Sequence, residues 1–238
     1  MVRRLAIRFR SHAVDMARMV FIDLWPEVAR PGYWKQRFAA VPSTLAAAGH
    51  AARVIHHTRL DPQALSVEPP AGIILSGSRS NLLDDPTLDP RDGIALSAFA
   101  KLTALLERLP QVPVLGICFG LQYLMFAAGG TLSRLPAPRR DRTWPIAVVA
   151  RDPLFRGLRA PRCVENHGWR VERPASGYRV VAHSADGIEA VRHAVLPRCG
   201  VQFHPEYFTQ SGATRDGERV LLNWVREVVP AARDGTRR

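Results

Sequence analysis

The stretch Pro113-Val114-Leu115-Gly116-Ile117-Cys118-Phe119-Gly120-Leu121-Gln122 constrains this chain more than any other. The short apolar run from Val112 to Ile117 reads as a buried strand, and Leu121 to Ala128 reads as a helix. Between them stands one cysteine flanked by two glycines. A Gly-x-nucleophile-x-Gly turn reverses the chain so sharply that its central side chain is presented on a strained strand-to-helix elbow. A Cβ at Gly116 or Gly120 would crowd such a turn. The following helix aims its N-terminal N–H groups and dipole at the sulfur, which favours the thiolate. The pentad alone is equally compatible with a buried structural cysteine ahead of a core helix.

A second segment changes that balance. Cys199-Gly200-Val201-Gln202-Phe203-His204-Pro205-Glu206 is another short apolar strand, and it ends in His-Pro-Glu. A cysteine nucleophile needs a base to take its proton, and the base needs a third group to fix its tautomer. His204 and Glu206, two apart in a segment held extended by Pro205, supply both roles.

Gly116-Ile117-Cys118-Phe119-Gly120-Leu121-Gln122 together with Val201-Gln202-Phe203-His204-Pro205-Glu206 resembles the triad-type (class I) glutamine amidotransferase domain. Gly72-Ile73-Ile74-Leu75-Ser76-Gly77-Ser78 is similar to that family's oxyanion strand and loop. Asn166-His167-Gly168-Trp169-Arg170-Val171 is similar to its substrate loop. The resemblance implies that Cys118 attacks the γ-carboxamide of glutamine, giving a γ-glutamyl thioester and ammonia. It implies His204 as base and then acid, oriented by Glu206. Backbone N–H groups of Phe119 and Ser78 would form the oxyanion hole. Gly77, Gln122, His167, Gly168 and Trp169 would surround the substrate. No cofactor and no metal is expected. Ser78-Arg79 stands where the family usually has Gly-Pro, so a Cβ lies close to the substrate. The Gly77-Ser78 turn, Asp84-Asp85 and Tyr207 after Glu206 resemble γ-glutamyl peptidase-like members, whereas Glu165 to Glu206 resembles the glutaminase domain of GMP synthase or carbamoyl-phosphate synthase.

Strands alternating with helices predict an α/β fold: a single doubly wound, mostly parallel sheet flanked by helices, flavodoxin-like, with a small antiparallel β addition. The expected strands are Met19–Asp23, Ala52–His56, Gly72–Leu75, Tyr178–Ala182 and Gly187–Val191. A helix is expected near Tyr33–Ala48, interrupted by Pro42. Another is expected between Asp92 and Leu109, with Phe99, Leu102, Leu106 and Leu109 on one face, and a last over Glu218–Val229. Ser76, Cys118 and His204 would then meet at the carboxyl ends of parallel strands. The domain spans 19–230, between a basic N-terminal extension (1–18) and a basic tail (231–238). The loop Ser78–Arg91 offers a lid or docking surface. His56, His57, His183 and His193 read as packing or surface residues, and the spacing announces no metal cluster.

Of 33 basic residues all but Lys35 and Lys101 are arginine, and the net charge is +12. The arginines are scattered, without a basic helix face or interleaved aromatics, so the charge reads as composition and predicts no nucleic-acid partner. No apolar run reaches the roughly 20 residues of a membrane span. Three cysteines without metal spacing, and no apolar core of signal-peptide length in Met1 to Arg10, predict a reduced, cytoplasmic setting rather than a disulfide framework. With no phosphate loop in the chain, the ammonia would pass to a separate synthase or synthetase partner. The alternatives are a free-standing γ-glutamyl peptidase and an idle interaction module; the intact Cys118, His204 and Glu206 count against the last.

Overall fold

The computed structural model describes residues 17–26, 38–82 and 93–230, and the structural statements concern these. Strand β1 (Ala17–Asp23) shows how the layers arise. Met19 and Phe21 are buried in one apolar cluster, Val20 and Ile22 in another. Alternate residues of a strand face opposite sides, so β1 is covered on both, as a strand inside a parallel α/β sheet is. The chain continues through helix α1 (Ala40–Ala47), β2 (His50–His56), α2 (Pro62–Val67), β3 (Gly72–Leu75), α3 (Ala100–Arg108), β4 (Val114–Ile117) and α4 (Phe119–Ala127). A strand-rich half follows, with β5 (Thr131–Arg134), β6 (Arg142–Pro145), β7 (Ala147–Val148), β8 (Arg162–Glu165), β9 (Trp169–Arg173), β10 (Tyr178–Ser184), β11 (Gly187–His193) and β12 (Arg198–Val201). Helix α5 (Asp216–Asn223) comes last and widens into a π-helical turn over Trp224–Val228.

The main sheet has eight strands in the order β2-β1-β3-β4-β12-β11-β10-β7. The first five are mutually parallel. The last three join antiparallel, and β5–β9 and β6–β8 form two small antiparallel pairs. Val41 and Leu45 of α1, with Val220 and Leu221 of α5 and Trp224 just after it, cover one face of the sheet. Leu102, Leu105 and Leu106 of α3, with Leu121 and Tyr123 of α4, cover the other. This is the doubly wound sheet with an antiparallel addition that the pattern of elements predicts.

Several boundaries differ, each for a local reason. Pro42 does not interrupt its helix: it is the third residue of α1, in the first turn, where no intrahelical N–H bond is needed. β1 begins at Ala17 and β2 at His50, two residues earlier than expected in each case, because the parallel ladder pairs Ala17 with His50. The Asp92–Leu109 region starts as a 3-10 turn at Leu96, and α3 follows from Ala100. The loop after Ser78 is closed at its base by Ile94 N–H donating to the Asn81 carbonyl at 2.8 Å. Its centre with Asp84-Asp85, the segment 27–37, residues 1–16 and the tail 231–238 lie outside the described residues. No helix among the described residues is long and apolar enough to cross a membrane.

Candidate active site

Strands β3, β4 and β12 end side by side, and Ser76, Cys118 and His204 follow them. Cys118 sits at φ 50° and ψ −104°, a backbone conformation that L-residues rarely adopt. The flanking glycines are steric requirements. A Cβ on Gly116 would lie 2.6 Å from the Gly120 carbonyl carbon, and one on Gly120 would lie 2.6 Å from the Leu75 oxygen. Cys118 N–H donates to the Val201 carbonyl at 2.7 Å, which locks the elbow to β12. The side chain is only 4% exposed. It is therefore not an open elbow: Cys118 stands on the floor of a cavity of about 890 Å³, within the size range of enclosed ligand sites.

His204 lines the same cavity. Its Nδ1 lies 2.8 Å from Glu206 Oε1. A carboxylate only accepts, so the proton sits on Nδ1 and Nε2 is left to face the thiol. The ring stacks on Tyr207, with centroids 4.4 Å apart and planes 11° apart, and His204 N–H donates to the Val164 carbonyl at 2.7 Å. Burial alone would lower the His204 pKa. The charges of Glu206 and Cys118 outweigh it and hold the imidazolium well above its ordinary range. Gly77 packs against this pair: a Cβ there would come within 2.9 Å of His204 Cε1. Ser76 shapes the turn before it, donating to the Gly77 carbonyl at 2.7 Å and accepting from Leu24 N–H at 2.9 Å.

The remaining expected residues divide between the wall and its support. Gly77, Ser78, Gln122, His167, Gly168 and Trp169 line the cavity, while Phe119 and Glu206 are buried directly behind Cys118 and His204. Phe119 opens α4, where backbone N–H groups have no intrahelical acceptor. Gln122 spends its amide donors on the Trp169 carbonyl at 2.8 Å and on Gln202 Oε1 at 3.2 Å. Gln202, to which the sequence reading assigned no role, is fully buried and aims Nε2 at Cys118 Sγ, 3.6 Å away. The one available signal was a glutamine inside an otherwise apolar strand end.

Beside the Asn166–Val171 loop lies a cluster that spacing did not announce. Glu165, His167 and Glu189 offer ligand-type atoms within 4.8 Å of one another, all buried. His167 Nδ1 donates to the Trp169 carbonyl at 2.9 Å, which turns Nε2 toward Glu165 Oε2 at 3.2 Å. Glu165 Oε1 and Glu189 Oε2 have no hydrogen-bond partner. Burial, reinforced by the charge of Glu165, raises the Glu189 pKa well above its ordinary value and favours its protonated form. A proton on Glu189 lowers the negative charge of the cluster. Elsewhere His56 and His57 are buried and hydrogen-bond the Trp25 carbonyl at 2.9 and 3.2 Å, as packing residues do.

The family model for class I glutamine amidotransferases matches residues 36–226. The chain belongs to the class I glutamine amidotransferase family. An aminodeoxychorismate synthase of Streptomyces griseus is 37% identical over 159 residues, 59% of this chain and 21% of that protein. A glutamine-hydrolysing GMP synthase of Thermosipho africanus is 33% identical over 164 residues, 67% of this chain and 28% of that protein. The chain thus spans a fifth to under a third of these relatives' length. By contrast, a glutamine-hydrolysing GMP synthase subunit of Pyrococcus abyssi is matched over 75% of its length at 32% identity. In three dimensions a Thermoplasma acidophilum protein described as a GMP synthase subunit superposes with a TM-score of 0.71, covering 94% of this chain and 98% of that one at 19% identity. That likeness shows the fold.

Proposed function

We propose that this family member hydrolyses the γ-amide of glutamine through Cys118. The observation that carries the reading is that Cys118 and His204 line one cavity, with Glu206 buried behind His204 and bonded to its Nδ1. The sulfur, with its proton on His204, adds to the amide carbon; the C–N bond then breaks and ammonia leaves with the proton that His204 returns. Water, deprotonated by His204, cleaves the thioester to glutamate and frees the thiol. Backbone N–H groups of Phe119 and Ser78 face the oxyanion, where losing one donor typically costs about 2.7–4 kcal/mol. Because the Gln122 NH₂ is occupied, its carbonyl oxygen is the end that meets the substrate ammonium. Gly77, His167, Gly168 and Trp169 enclose the rest of the substrate.

The ammonia passes to a separate synthase or synthetase, a division of labour that the name of the Pyrococcus relative, one subunit of a synthase, suggests for that protein. We place the working domain at 19–230, in the cytoplasm, where its three unpaired thiols stay reduced. The isolated chain should release ammonia from glutamine, Cys118→Ala should not, and a synthase partner recovered by pull-down should raise the rate. Turnover surviving in Cys118→Ala would refute the thiol mechanism. A second reading, a free-standing γ-glutamyl peptidase, draws on the cavity of about 890 Å³, which is roomy for a free amino acid. A higher kcat/KM for a γ-glutamyl dipeptide than for glutamine, unchanged by any partner, would establish that reading instead.

A further inference from the structure

One wall of the cavity carries charge that the thiol chemistry does not use. Segment 134–140 lies along the substrate loop and is tied to it at three points. Arg134 pairs with Trp169 in the β5–β9 ladder. Leu135 N–H donates to the Gly168 carbonyl, and Arg139 N–H to the His167 carbonyl, both at 2.8 Å. The three arginines of this strap divide. The Arg139 guanidinium turns into the protein, pairing through two nitrogens with Asp186 and lying 3.7 Å from the Trp144 ring centre. Arg134 and Arg140 line the cavity at its exposed rim, and neither guanidinium has a hydrogen-bond, ion-pair or ring partner among the described residues. Arg79 adds a third guanidinium to the lining, and no aspartate or glutamate appears among the described lining residues.

We infer that Arg134 and Arg140 form a carboxylate-recognition site at the rim of the glutamine pocket, serving a carboxylate carried by the substrate itself. The inference rests on the reading of Cys118 as the thiol that attacks a γ-glutamyl amide. A guanidinium matches a carboxylate through two parallel N–H bonds, and here the backbone that carries the pair is held by the loop that walls the site. Two sources offer that chemistry: the α-carboxylate of the γ-glutamyl group, and a carboxylate on the amine side of a larger γ-glutamyl amide. Arg139, already neutralised by Asp186, is the built-in contrast.

The test uses the full chain carrying Cys118→Ser, so that ligands bind without turnover, and calorimetry with two probes. γ-Glutamylethylamide has only the α-carboxylate; γ-glutamylglycine has a second carboxylate beyond the scissile bond. Arg134→Gln or Arg140→Gln should weaken binding about tenfold, the size of one charge-assisted pair, and added salt should shrink the difference. Weakening of both probes alike assigns the site to the α-carboxylate. Weakening of γ-glutamylglycine alone assigns it to the amine side. If the parent binds neither probe, or the glutamine variants bind both as the parent does, the proposal is wrong. If glutamine turnover proves independent of Cys118 while the binding losses persist, the thiol reading falls and the carboxylate site stands.

Discussion

Cys118 carries φ 50° with a full side chain, a conformation that typically costs about 1–3 kcal/mol and persists only when its surroundings impose it. Glycine escapes that cost and alanine does not. Cys118→Gly should therefore melt above Cys118→Ala, although both lose turnover; the reverse order would mean that the elbow is unstrained. The other thiols lie in a different setting. Burial pushes the Cys199 thiol up to about 12 and that of Cys163 well above the ordinary range. A glutamine-like diazo-ketone should label Cys118 and spare both, as read by peptide mass; equal labelling of all three would remove the case for Cys118. The base can be tested through its titration. Burial lowers the His204 pKa, and Glu206 is the largest contribution that raises it. Neutralising Glu206 as Glu206→Gln should move the alkaline limb of kcat/KM to lower pH and leave partial turnover. An unmoved limb would show that Glu206 does not set the His204 charge.

The elbow acts as an element only because three backbones meet inside it. Gly120→Ala would place a Cβ 2.6 Å from the β3 backbone at Leu75. Backbone cannot swing aside, so the cost should reach the upper part of the usual overpacking range of about 1–3 kcal/mol. It should lower Tm by several degrees and abolish glutaminase activity, because β3 carries the Gly77-Ser78 turn. Wild-type melting in that variant would contradict the packing. Features of this kind were legible in the sequence since each is local: a strand, a glycine pair and a helix in one decapeptide, or a strand ending in His-Pro-Glu. What escaped the reading depends on distance in the chain. Gln202 acquires its role from Cys118 and Gln122, 84 and 80 residues away. Arg134 and Arg140 differ from Arg139 only in where the strap turns each side chain. Scattered arginines look alike in a chain this rich in them, and no periodicity marks which two face a cavity.

At the scale of the whole molecule, the Glu165–His167–Glu189 cluster brings residues of three sheets within 4.8 Å of one another. Glu165 ends β8 of one small pair, His167 precedes β9 of the other, and Glu189 belongs to β11 of the main sheet. The antiparallel addition thus meets the wall of the pocket at this cluster, where His167 lines the cavity. Its charge state then bears on global stability, and the sign follows from linkage. Burial raises the folded-state pKa of Glu189 well above its ordinary 4.5. A group raised in this way contributes its full stability below the unfolded pKa, and the contribution drains away as pH climbs toward the folded value. The native chain should thus lose stability from Glu189 as pH rises above about 4.5 toward the raised folded-state value. Glu189→Gln removes the titration but keeps the shape. Its carbonyl oxygen can still accept from Ser184 Oγ, a bond of 2.6 Å in the native chain. Denaturant midpoints at pH 5 and pH 8 should differ less in this variant than in the parent, with the gain appearing at pH 8. All other titrating groups are common to both proteins, so the difference reports Glu189 together with its coupling to Glu165. Equal destabilisation at both pH values would mean that Glu189 is ionised in the fold, and that the cluster is neutralised by something other than its own proton.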